Sequence, residues 1–242
     1  MREAPVKTTG FRQGITSVST TQKERLGTLR ILEDGRKFRY SQTAAVITPG
    51  QATAAKAIVA AHITGAVGSF NTTRTQLTVT LLATGTAIAL NGLVGGYLMV
   101  ESGVGAGRSY RIASNTAATT ASTSIIVTLH DRMAASDATT KVALVHSPYF
   151  NVIVGGAGLI PTGIAPVTLA IGDYYWSQTG GLANALIEGT PAVGAPVGLD
   201  ATAGSLKVIV DTTASNAIVQ VGQVFGTVGV DGAYKPVMLC LD

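Results

Sequence analysis

One cysteine, one tryptophan and few charges mark this 242-residue chain by what it has little of. Cys240 has no partner, so an intramolecular disulfide and a cysteine-based metal site are both excluded. Its place in a C-terminal strand pattern with Met238 and Leu241 predicts a small buried hydrophobe. Charged residues make up 12% of the chain and aromatics 5%, against 46% apolar residues and 29 glycines. Ordinary soluble domains carry roughly twice that charge. The surface must therefore be built largely from Thr, Ser, Ala and Gly, as in fibrous and shell-forming proteins whose surface ends against a neighbour. No apolar run reaches the roughly 18 residues a spanning helix needs, so no membrane partner is expected. The opening residues lack an apolar h-region, and no secretory signal is expected.

The charges that exist are unevenly placed. Through Tyr40 there are nine basic residues (Arg2, Lys7, Arg12, Lys23, Arg25, Arg30, Arg36, Lys37 and Arg39) against four acidic ones. The rest of the chain has eight basic and nine acidic residues. Such asymmetry points to an arm that meets an acidic partner.

Residues 1–25 show no helical or strand periodicity and are predicted to be extended. A hairpin follows over Leu26–Tyr40, turning at Asp34-Gly35, with Phe38 and Tyr40 on one face and Lys37 and Arg39 on the other. Thr48 and Pro49 start a predicted short helix near 49–61, rich in alanine. Beyond Thr72 the chain reads as short strands bounded by Gly, Asn, Asp or Pro. Ser124–Leu129 is almost wholly β-branched. The fold class is all-β and mainly antiparallel: an extended arm and hairpin over 1–40, a β-sandwich or barrel body over 41–160, and a smaller β-barrel-like module over 161–242. The boundary before the last module falls in Gly155–Pro166.

Catalytic machinery is not visible. His62, His130 and His146 share no metal-ligand spacing, and no metal or cofactor is expected. The glycines of 101–108 precede a strand and not a helix, which suits a hairpin loop and not a phosphate cradle. No G-x-S-x-G elbow and no paired carboxylates occur, so neither an enzyme nor catalytic residues are expected. Tyr174, Tyr175 and Trp176 form the densest aromatic cluster. It is open to two readings: an exposed binding surface at Tyr174 and Trp176, or a strand with Tyr175 in the core and its neighbours against another element.

Several segments resemble head proteins of tailed bacteriophages, in particular capsid decoration or cement proteins. They are Leu26-Gly27-Thr28 with Asp34–Tyr40, Thr43–Ala60 with Pro49-Gly50, Gly107–Ile112, Gly172–Gly181, and Val221–Val224 with Tyr234–Leu239. The resemblance implies a virion protein, assembled in the host cytoplasm and carried on the capsid exterior. It implies binding to the lattice of the major capsid protein, as a homodimer or homotrimer, and stabilisation of the head. The arm cations from Arg2 to Arg39 would be its capsid contacts, with Phe38, Tyr40, Tyr174 and Trp176 as interface aromatics. A tail fibre or spike module that reads a host glycan is the alternative. Nucleic acid is the less expected partner, because the β segments lack basic stripes with interleaved aromatics.

Overall fold

Alternation of apolar and polar residues is what the backbone obeys. In the computed structural model Ile125, Val127 and Leu129 point inward from one strand while Ile126 points out. The structure describes residues 10–59, 62, 65–71, 73–80, 87–122, 124–134, 137, 139–210 and 219–242. Among these it has sixteen strands and no α-helix. In chain order they are β1 (Leu29–Ile31), β2 (Lys37–Gln42), β3 (Ala52–Ala54), β4 (Gly65–Phe70), β5 (Gln76–Thr80), β6 (Tyr97–Ser102), β7 (Ser109–Asn115) and β8 (Ser124–Leu129). There follow β9 (Lys141–Val145), β10 (Ile153–Val154), β11 (Pro161–Ile164), β12 (Tyr174–Leu186), β13 (Pro196–Leu199), β14 (Leu206–Val208), β15 (Gln220–Val224) and β16 (Tyr234–Cys240). The all-β, antiparallel fold class is as the sequence predicts.

The chain divides into two units, and not at the predicted boundaries. Residues 57–147 form a barrel unit, inserted between the described residues up to Lys56 and Pro148–Asp242, which together form a sheet unit. The divisions expected at 40/41 and 160/161 are therefore corrected. The first fails because β2 pairs along β12, so the hairpin is part of the larger sheet. The second fails because the glycines around 155 are points of close approach and not a linker. Gly155 donates to Ala52 at 2.8 Å, and a side chain on it would meet the Leu199 side chain at 2.7 Å.

In the barrel unit six antiparallel strands close in the order β4-β5-β8-β7-β6-β9. The run β9-β6-β7-β8 is a Greek key, in which the fourth strand returns beside the first. Leu77, Val79, Leu98, Ile112, Val127 and Leu144 are among the side chains that fill it. Asn115, 3% exposed, holds the approach to β6. Its Oδ1 accepts from the Leu93 amide at 2.9 Å, and its Nδ2 donates to the carbonyls of Ala89 and Thr116 at 3.0 and 2.8 Å. The glycine run 103–107 joins β6 to β7, and Gly103, Gly105 and Gly107 all have positive φ. It is a hairpin loop, as its composition predicts.

The sheet unit has ten strands in the order β10-β3-β11-β12-β16-β15-β13-β14, with the β1–β2 hairpin attached to β12. Thirteen-residue β12 organises it. Its first half pairs with β2 and its second half with β16, and the change of partner occurs at Gly180 and Gly181. Both glycines lie against the hairpin: a side chain at Gly180 would meet Lys37 at 3.1 Å, and one at Gly181 would meet the Arg36 Cα at 3.0 Å. The hairpin itself forms as predicted, with Leu29 opposite Arg39 and Gly35 at φ 82°. The second half of the sheet curls around Ile187, Val197, Leu206, Val221, Val237 and Leu239.

Two further expectations are corrected. The predicted helix near 49–61 is absent from its described residues. Thr48–Gln51 is a turn, closed by the Gln51 amide on the Thr48 carbonyl at 3.2 Å, and β3 follows. Residues 60 and 61 lie outside the described residues. Helix propensity is a weak preference, and here Ala52 and Ala54 are more useful as small, fully buried residues between β10 and β11. Cys240 is exposed, because Val237 and Leu239 take the inward positions of β16 and leave Met238 and Cys240 outward.

Candidate functional site

From residue 10 onward the structure shows a folded segment in place of the expected loose arm. Residues 10–25 lie against β2 and β12, and one polar side chain, Gln13, does most of the fastening. It is 6% exposed. Its Nε2 donates to the carbonyls of Ser17 and Tyr174, both at 2.8 Å, and its Oε1 accepts from the Tyr40 hydroxyl at 2.7 Å. Its own carbonyl accepts from the Trp176 indole at 3.1 Å and from Arg30 at 2.9 Å. Ser19 and Tyr174 exchange both backbone bonds, at 3.1 and 2.8 Å, so the segment adds a short bridge to the start of β12.

Apolar contacts complete the seal. The Phe11 ring meets Trp176 edge to face at 5.1 Å, and Tyr40 meets it at 5.0 Å. Arg30 lies over the Phe11 ring at 4.5 Å. Phe38, Tyr40 and Trp176 are each 0% exposed, so three of the four expected interface aromatics are core residues. This is a correction. Tyr174 alone stays half-buried. Tyr175 and Trp176, being adjacent in a strand, point to opposite faces of the sheet, and both faces are covered: Tyr175 packs with Ile47, Val152 and Leu169, Trp176 with Leu26, Phe38 and Tyr40.

Burial shows in the phenols. It pushes the Tyr175 hydroxyl up to about 12, and it also raises Tyr40 and Tyr174. A phenol whose folded pKa is raised contributes stability that is present below its ordinary value and lost as pH rises through the folded one. The sheet unit is therefore expected to weaken between pH 10 and about 12, by about 2–3 kcal/mol from Tyr175 alone. Urea midpoints followed by Trp176 emission across that range check this; a midpoint independent of pH would contradict it.

The basic residues fall into two groups. Arg30, Arg36 and Arg39 are used within the fold. Arg36 pairs with Asp34 at 2.7 Å. Arg39 grips both carboxylate oxygens of Asp242, at 2.9 and 2.7 Å, and donates to the Gly27 carbonyl at 2.9 Å. Burial alone would raise Asp242, but Arg39's hydrogen bonds and charge hold it below its ordinary value. Lys37 lies half-buried along Gly180. Arg12, Lys23 and Arg25 differ: they are exposed, and none makes an ion pair among the described residues. Arg2 and Lys7 lie outside the described residues.

One titratable cluster elsewhere in the sheet unit is tied together, around Glu188 and Lys207. Glu188 accepts from Ser205 at 3.1 Å and from Lys207 at 3.4 Å, and hydrogen bonding at Thr202 and these two groups pushes its carboxyl down to about 2. Lys207 bridges it to Asp200, at 3.4 and 3.7 Å. No three His, Cys, Asp or Glu side chains gather as metal ligands among the described residues. Gln13 left no sequence signal. Phe11 and Ile15, isolated apolar residues in a polar leader, were the one hint that the leader docks. No family model, curated protein or solved structure matches the chain.

Proposed function

We propose that the chain is a virion structural protein, a capsid decoration or cement protein. It docks on the lattice of a major capsid protein through the edge that presents Arg12, Lys23 and Arg25. The observation that carries this reading is the sorting of the cations: three stand exposed and unpaired on one folded segment, in a chain with half the usual charge. Residues 10–42 hold seven basic and three acidic side chains. An acidic patch on a shell protein complements that edge, and complementarity of this kind sets register and speeds encounter. The Gln13 anchor means that the edge is ordered before it binds, so docking avoids most of the entropy loss of a loose arm. A lattice repeats the contact, and association of the protein into dimers or trimers multiplies it further. The role is architectural and not catalytic. Trp176, fully buried, supplies no exposed aromatic surface for the glycan-reading tail-fibre alternative.

Co-sedimentation with purified undecorated heads tests the proposal. The variant Arg12→Gln/Lys23→Gln/Arg25→Gln is expected to bind at least tenfold more weakly, with Trp176 emission unchanged. Binding of the unaltered protein should weaken with salt, because exposed charges are screened within about 10 Å at 0.1 M. Equal binding by the variant would sink the docking edge. Tight, steeply salt-dependent binding to DNA would reassign the edge to phosphate.

A further inference from the structure

A second feature of the sheet unit is independent of the capsid reading. Pro49, Ile164, Pro166, Gln178, Asn184 and Tyr234 line an open groove of about 460 Å³, within the size range of small-ligand sites. We infer that this groove binds a neutral saccharide.

The groove is built and not incidental. Gly50, at φ 81°, lies under the Tyr234 ring: a side chain there would meet ring carbons at 2.5 and 2.6 Å. The ring is thus seated on bare backbone, yet remains 46% exposed. It offers an aromatic surface with a hydroxyl at its tip, and that hydroxyl has no hydrogen-bond partner among the described residues. Ile164 and the two prolines add apolar surface.

The polar groups converge on the same space. Gln178 is 6% exposed and held in one orientation, because its Nε2 donates to the carbonyls of Gly180 and Leu182 at 3.2 and 2.9 Å. Its Oε1 accepts no hydrogen bond among the described residues and is left as a fixed acceptor at the groove. The Asn184 side chain is exposed and makes no hydrogen bond among the described residues, so it supplies both a donor and an acceptor.

That combination selects the ligand class. A sugar ring has an apolar C–H face and a rim of hydroxyls that donate and accept, matching one aromatic surface with two amides and a phenol. No charged side chain lines the groove. A sialylated or sulfated ligand would lose hydration there without gaining a counter-charge.

The full chain, screened on an array of neutral, sialylated and sulfated glycans, is expected to retain neutral members in preference to charged ones. Titration of the best neutral glycan should show Tyr234→Ala weakening binding tenfold or more. Asn184→Ala should weaken it less, and both variants should keep the parent's Trp176 emission. Retention of no neutral glycan, or equal binding by Tyr234→Ala, would overturn the inference. So would a groove that takes proline-rich peptides and no sugar.

Discussion

A chain shortened through Arg25 is expected to lose the fold of its sheet unit. The deletion removes Phe11, Gln13 and Ile15, which cover Trp176 and Tyr40. It leaves the Trp176 indole, the Tyr40 hydroxyl and the Tyr174 carbonyl without their partners. Truncating a well-packed phenylalanine costs about 3–5 kcal/mol when it is fully buried, and Phe11, half-buried, sits below that range. Each buried polar group stranded adds about 1–3 kcal/mol. Together these losses approach the 5–15 kcal/mol that holds a typical domain together. Trp176 is the chain's only tryptophan, so its emission reads the sheet unit alone. The shortened protein should show red-shifted emission and no cooperative urea transition from that probe. The barrel core, drawn entirely from residues 67–144, should keep its fold. An unchanged emission maximum and midpoint would mean that the segment is peripheral after all.

Gly163→Ala is the second large effect. Gly163 sits in β11 at φ 140°, a conformation that side-chain-bearing residues rarely adopt. An added Cβ would lie 2.3 Å from the Ser177 hydroxyl and 2.6 Å from the Gln178 carbonyl, which is backbone of β12 and cannot move aside cheaply. Behind it is a buried hydroxyl cluster: Thr53 and Thr162 lie 2.9 Å apart, and Thr53 donates to the Gly163 carbonyl at 3.1 Å. Strain, overpacking and a disturbed hydroxyl cluster together should cost about 3–5 kcal/mol. Gly158→Ala is the control. It also replaces a positive-φ glycine, at 75°, but nothing lies within 4 Å of the added carbon, and it should cost only about 1–2 kcal/mol. Urea midpoints of the two variants should differ accordingly; equal midpoints would refute the account of β11.

These residues also show what the sequence could reveal. Asp34-Gly35 between alternating runs was legible as a hairpin because turn chemistry is local. Ser124–Leu129 was legible because one alternating run carries its own pattern. The strand alternation of Tyr174–Trp176 correctly allowed Tyr175 and Trp176 to face opposite ways. What covers the second face was not legible, since Gln13 reaches Tyr174 across 161 positions. Pro161–Ile164 and Pro196–Leu199 contain residues that usually end strands and were missed for that reason. The insertion of the barrel unit depends on non-local contacts, such as the Ala52 and Gly204 pairing at 2.9 Å. Composition foretold the basic segment. Which of its cations are committed and which are exposed follows only from partners such as Asp242 and Gln13.

On the proposed function the Gln13-anchored segment is a rigid edge that presents Arg12, Lys23 and Arg25 to a shell. An image reconstruction of heads decorated with the protein tests it most directly. Density for residues 10–42 is expected on the capsid lattice in their folded conformation, with those three side chains against acidic residues of the shell. An attachment in which this edge faces solvent and another surface meets the capsid would contradict it.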